Sequence, residues 1–248
     1  MKIKNFLPLI TLVTFSLLLS ACQITGLNVV RGSGNVITES RTVSDFNNIE
    51  LNGAGQLIIT QSSTESLEIE AEENIIGELT SEVQGDTLTL GYTNRFWQRS
   101  IIPNQTIIYR LSVLDLEEIT LNGANQLDIG ALETSSLEIN LNGAGRVDID
   151  DLLAQNLSVK VAGTGTVTIA GQVESQEINI DGAGNYQAGD LQTSKTVIKI
   201  DGLGNSTVWA MDTLDITING GGSLNYYGTP SVQQDINGLG DINNRGDK

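Results

Sequence analysis

The chain has 248 residues, with 30 Asp and Glu against 13 Lys and Arg, a formal net charge of −17 and no histidine. Without imidazole there is no Ser-His or Cys-His nucleophile pair, no His-ligated zinc or haem and no histidine pH switch, and a single cysteine leaves no internal disulfide or thiolate cluster. The acidic balance, with a pI near 4.1, excludes nucleic acid as the expected partner, because phosphates are bound by clustered Lys and Arg that displace counterions.

In chain order, Lys2 and Lys4 come first, followed by an apolar run over residues 6–19 that is broken by Pro8. Its 14 residues span about 21 Å as a helix, short of the roughly 30 Å hydrocarbon core, so it is not read as a permanent membrane span. Leu19-Ser20-Ala21-Cys22 closes the run and resembles the lipobox of bacterial lipoprotein signals. The resemblance implies cleavage before Cys22, lipidation of its sulfur and further acylation of the new N-terminus, with palmitate-like chains. Several such chains anchor a protein stably where one is marginal. An ordinary secretory cleavage near Ala21, with an incidental thiol, is the alternative. On the lipoprotein reading, residues 1–21 are a signal peptide and 22–40 a lipidated N-terminus and short tether. Residues 41–248 are then one folded domain on the membrane-anchored, extracytoplasmic side of a bacterial envelope, at the outer membrane where the organism has one.

Strands are predicted over 57–61, 66–70, 87–92 and 106–113, with a helical turn over 72–79. This places an irregular β cap over 41–118. From residue 119 to 243 the chain repeats. Gly-x-Gly or a near variant occurs at Gly53, Gly123, Gly143, Gly163, Gly182, Gly202, Gly220 and Gly238, with steps after Gly123 of 20, 20, 19, 20, 18 and 18. Two residues before each glycine stand Leu51, Leu121, Leu141, Val161, Ile180, Ile200, Ile218 and Ile236, and four before stand Ile49, Ile119, Ile139, Val159, Ile178, Ile198 and Ile216. The residue between them is polar, which gives a period of two with one buried face. Four aliphatic side chains contribute roughly 6–12 kcal/mol gross, against about 20–40 kcal/mol for ordering 20 backbone residues. One repeat therefore cannot stand alone and must stack on its neighbours. The expected fold is all-β: a β-helix-like solenoid of about 20-residue coils with an irregular N-terminal β cap, right-handed by the rule for parallel crossovers. The polar end, 241–248, is expected to fray.

The segment Phe46-Asn47-Asn48-Ile49-Glu50-Leu51-Asn52-Gly53-Ala54-Gly55, the later Asn-Gly-Ala-Gly series and Tyr226-Tyr227-Gly228-Thr229-Pro230 together resemble the bacterial head GIN domain, a family with an autotransporter-adhesin label. The resemblance covers roughly residues 29–243. It departs at Asn125, Thr164, Leu203 and Leu239, where the corner geometry is in question. It implies a β-helical extracytoplasmic lipoprotein and brings no catalytic residues with it.

Asn-Gly-Ala-Gly-Arg-Val-Asp-Ile-Asp, ending at Asp148 and Asp150, superficially resembles a calcium-binding nonapeptide. Calcium takes six to eight oxygens, and the column of Asp128 and Asp148 continues as Thr168, Gln187, Thr207 and Asn225, so no metal and no cofactor is expected. Stacked Asp128 and Asp148 also raise the alternative of a carbohydrate-active β-helix enzyme, a lyase or hydrolase with paired carboxylates. Against it stand their solvated face and the lack of a Lys or Arg column beside them. The preferred reading is a noncatalytic surface adhesin, binding module or envelope scaffold. Its membrane contact is the lipid on Cys22, and its partner is a glycan or cell-surface protein. Candidate ligand-binding residues are Trp209 and Tyr227, each seven residues past its corner glycine with outward parity. Arg95, Phe96, Trp97 and Arg99, in a loop with two aromatics and two cations, are the others.

Overall fold

The computed structural model describes residues 28–93 and 99–248. Strands β1 (Asn28–Arg31) and β2 (Val36–Arg41) lead into β3 (Asn48–Gln61), the first strand of the stack. An insertion follows: β4 (Ser66–Glu72), a 3₁₀ turn (Ile76–Glu78), β5 (Leu79–Gln84), β6 (Thr87–Tyr92), β7 (Arg99–Ile102) and β8 (Ile108–Val113). The long strands β9 (Glu118–Leu141), β10 (Ala144–Val161), β11 (Thr164–Ile180), β12 (Ala183–Ile200) and β13 (Leu203–Ile218) come next. The chain ends in β14 (Gly221–Tyr227), β15 (Ser231–Ile236) and β16 (Leu239–Asn244).

All successive pairs from β3 through β9, β10, β11, β12 and β13 to β14 are parallel and run in near-constant register, with Ile149 on Ile129 and Val159 on Ile139. The result is a β-solenoid of about six turns with coils of about 20 residues. Each coil is one long strand bent twice rather than two short strands. In β10, Val147, Ile149, Leu152, Leu157, Val159 and Val161 are buried, while the adjacent pairs Asp150-Asp151 and Gln155-Asn156 are exposed. Two consecutive outward residues mark a bend, so the coil has three sides, with its third corner at the glycine.

The glycine is required less by dihedral freedom than by how closely the coils approach. A Cβ added at Gly143, Gly163, Gly182, Gly202, Gly220 or Gly238 would lie 1.8 to 2.0 Å from the carbonyl oxygen of the corresponding glycine one coil earlier. Just before this corner a ladder of amides runs up the stack. Asn122 donates to Asn52 (2.9 Å), Asn142 to Asn122 (3.0 Å), Asn219 to Asp201 (2.6 Å) and Asn237 to Asn219 (3.3 Å). Asn125, which replaces a glycine of the second column, is buried, and both its amide atoms lack a partner.

The two ends of the stack differ. At the N-terminal end β6 and β8 lie parallel on β3, antiparallel β5 pairs with β6, and antiparallel β4 and β2 extend the sheet. The segment 41–118 therefore contains a regular coil strand, β3, as well as strands that cover it. Glu72 holds this cap together. It is 1% exposed and accepts backbone N–H bonds from Gly34 (2.6 Å), Asn104 (2.8 Å) and Gln105 (3.3 Å). Burial pushes its carboxyl up, but the three donors outweigh burial and hold it below the ordinary carboxylate value. A depressed folded pKa stabilises the fold fully above the unfolded value of about 4.3, and that stability is lost as pH falls through the folded value. The protection factors of the cap amides, which divide out the intrinsic pH dependence of exchange, should therefore fall with acidification through this window in the parent, and Glu72→Gln should remove that fall. Parallel pH profiles of the two would refute the assignment.

At the C-terminal end β15 and β16 pair on one side only among the described residues, and Leu239 is 90% exposed. The last residues do not fray. Arg245 donates its backbone N–H to the Tyr226 carbonyl (2.8 Å), and Gly228 donates to that of Gly246 (3.0 Å). These bonds continue the parallel ladder one step past β16, which a reading of side-chain polarity alone does not capture.

Candidate functional site

Tyr227 is the register neighbour of Trp209, one coil apart on the outer face, and both rings are half-buried. Behind Trp209 the core is polar. Tyr186 donates to Gln176 (2.8 Å), Gln176 donates to Thr196 (3.0 Å) and Thr193 (3.3 Å), and the Thr193 hydroxyl donates to the Trp209 carbonyl (2.9 Å). All four side chains are buried, and burial alone pushes the Tyr186 hydroxyl far up, so it stays a neutral donor. A fully satisfied interior network fixes the strand that carries the indole.

Beside the rings β12 bulges. Ala188 pairs with Val208 and Gln192 with Trp209, leaving Gly189, Asp190 and Leu191 without counterparts in β13. Bulges re-aim side chains, and here the Lys248 ammonium sits at the bulge, ion-paired to Asp190 and hydrogen-bonded to the Gly189 carbonyl (2.5 Å). Its Nζ lies 5.5 Å from the Trp209 ring centre and 5.2 Å from that of Tyr227, within cation–π range.

The carboxylate face is different. Asp128 and Asp148 are register neighbours, but Gln56 (2.8 Å) and Gln126 (3.1 Å) donate to Asp128, and the Arg146 guanidinium forks onto Asp148. Both carboxylates are thus engaged on a wet surface, and a cation, Arg146, does lie beside them. A groove of about 1070 Å³ runs over Gln61, Asp115, Glu133, Asp151 and Leu153, yet its three carboxylates are all exposed. A general acid needs a desolvated group with a raised pKa. No cluster of three or more metal-ligating side chains occurs among the described residues.

Of the residues singled out in the sequence, Trp209 and Tyr227 are brought together. Arg95, Phe96 and Trp97 lie outside the described residues, as does Cys22, and Arg99 opens β7 with only its main chain described. Sequence reasoning missed Lys248, the Gly189–Asp190 bulge, Glu72 and the Gln176 network. The bulge left one trace, the shortening of the repeat from 20 to 18 residues after Gly202.

Fold and surface together define a parallel β-solenoid with one short cation-capped aromatic platform. Residues 45–230 match the family described as "Putative auto-transporter adhesin, head GIN domain", and the chain belongs to it. A solved structure described as a putative adhesin from Bacteroides fragilis is 27% identical, with TM-score 0.81 over 87% of this chain and 99% of that one. A protein from Parabacteroides distasonis, described as a putative lipid binding protein, is 25% identical, with TM-score 0.67 over 88% and 99%. A putative adhesin from Parabacteroides merdae, 23% identical with TM-score 0.66 over 88% and 99%, shares the fold. No curated protein matches significantly.

Proposed function

We propose that the protein is a noncatalytic adhesin of the bacterial surface, tethered by lipid on Cys22, that engages a glycan or cell-surface protein through the Trp209 and Tyr227 platform. The observation that carries this reading is the placement of two aromatic rings at register positions on adjacent coils, backed by a buried hydrogen-bonded network. Rigid aromatic planes supply contact area at little entropic cost and dominate many recognition surfaces. Family membership supports the adhesin role. The Leu-Ser-Ala-Cys order supports the anchor, and the exposed carboxylates of the large groove favour binding over turnover.

Attachment of cells displaying three forms tests it. Trp209→Ala should leave the protein in the envelope fraction with its fold intact by circular dichroism, yet weaken attachment by about 2 kcal/mol or more, the size of a hot spot. Cys22→Ala should lose attachment by losing the envelope location, with an intact mass that lacks the acyl chains. Attachment by folded Trp209→Ala equal to the parent's rejects the platform, and an unchanged location of Cys22→Ala rejects the anchor. Turnover of a polysaccharide that vanishes with Asp128→Asn and Asp148→Asn would instead select the enzymatic alternative.

A further inference from the structure

The platform is not empty, and its occupant indicates its chemistry. The Lys248 ammonium is held by two ring faces, a carboxylate and a carbonyl at once. An ammonium carries three N–H donors. Asp190 and the Gly189 carbonyl take two, and the remaining positive surface faces the rings. These four groups converge because the ladder is broken there. The bulge of β12 faces Trp209 in β13, and Gly189 approaches so closely that a Cβ on it would lie 3.1 Å from Thr207 Cγ2 and 3.3 Å from Tyr227 Cε2.

We propose that Trp209, Tyr227, Asp190 and the Gly189 carbonyl form a receptor for a primary ammonium on an aliphatic stem, as a partner protein's lysine side chain presents it, with Lys248 as the intramolecular occupant that such a ligand displaces. This rests on the reading of Trp209 and Tyr227 as the ligand surface and names what that surface selects. Asp190 repels anionic sugars and rewards cations, and its side chain is 77% exposed, open to an incoming group. A net charge of −17 draws cationic partners toward the surface and penalises acidic ones. Lys248 is itself the template for such a ligand: its charged head sits at the bulge, within reach of both rings. As a tethered competitor it acts at an effective concentration on the order of millimolar, so an external ammonium binds in proportion to the fraction of molecules in which Lys248 has left.

The Trp209 indole N–H resonance of the full-length protein reports occupancy. The probes are n-butylammonium, N-acetyl-lysine amide, glucosamine and N-acetylglucosamine. Lys248→Met keeps the stem and removes the charge. It should tighten n-butylammonium and N-acetyl-lysine amide by roughly tenfold, as expected for removal of an internal competitor. Adding Asp190→Asn to that variant should reverse the gain, with N-acetylglucosamine unaffected throughout. Ammonium affinity unchanged by both substitutions overturns the proposal. Saturable N-acetylglucosamine binding with no ammonium binding also overturns it while leaving the aromatic platform intact. Tighter binding of glucosamine than of N-acetyl-lysine amide overturns the lysine-like ligand. No shift of the indole with any probe removes both the receptor and the platform beneath it.

Discussion

Gly163→Ala should destabilise the solenoid by about 3 kcal/mol, at the upper end of ordinary overpacking, while Gly130→Ala should leave it within about 0.5 kcal/mol. The two substitutions add the same methyl group, one at a corner between β10 and β11 and the other within β9. At Gly163 the new Cβ would sit 1.8 Å from the Gly143 carbonyl oxygen, a main-chain atom that cannot move aside without spreading two coils, whereas at Gly130 it meets nothing within 4 Å. The obstacle repeats at every step of the column, so the coils cannot spread at Gly163 without also disturbing the close approach of Gly182 above it, where an added Cβ would lie 2.0 Å from the Gly163 carbonyl oxygen. Urea unfolding of both variants measures the difference. Equal midpoints would show that coil separation is elastic and that the glycine column answers to something other than close approach.

Ile200→Ala should cost about 2–5 kcal/mol, the range for deleting a buried aliphatic side chain that leaves a cavity, and Lys199→Ala beside it far less. Ile200 is fully buried, and its register partners Ile180 and Ile218 lie one coil to either side. The cavity would therefore open in the middle of a continuous aliphatic column. Lys199 pairs with Asp201 at 2.5 Å on an open surface, its side chain 47% exposed, where solvent screening leaves such pairs little net value. The Asp201 partner raises the lysine's pKa, and Lys199 followed by Asn219 lowers that of Asp201, so the pair is polarised as expected. Thermal unfolding that ranks Lys199→Ala as the worse substitution would mean that inside and outside have been exchanged.

The stack was legible because its signal is redundant. Ile139, Val159, Ile178 and Ile198 announce one buried column four times over, and the glycine period fixes which residues lie above which. Asp148 above Asp128 and Thr168 above Asp148 follow from counting alone. The insertion was less legible because its strands pair with residues far along the chain and in both directions. β6 and β8 each lie on a different half of β3, and nothing periodic encodes such a pairing. The site was half legible. Trp209 and Tyr227 share a column position, so their juxtaposition is a consequence of the period. Lys248 reaches them from a different column across a bulge, and a departure from the period cannot be located by a method that relies on it. Glu72 was hidden for a related reason: its partners are backbone N–H groups of Gly34, Asn104 and Gln105, which carry no side-chain signature.

The stack also sets a length. Five parallel pairings separate β3 from β13, which carries Trp209, and at about 4.8 Å per strand spacing the indole stands roughly 24 Å along the axis from the first coil. Because the middle coils are held mainly by their immediate neighbours, adding or deleting one of them moves the platform by a single strand spacing without redesigning either end. The repeats serve as a ruler graduated in coils, and their number sets how far the aromatic platform is held from the capped end of the molecule.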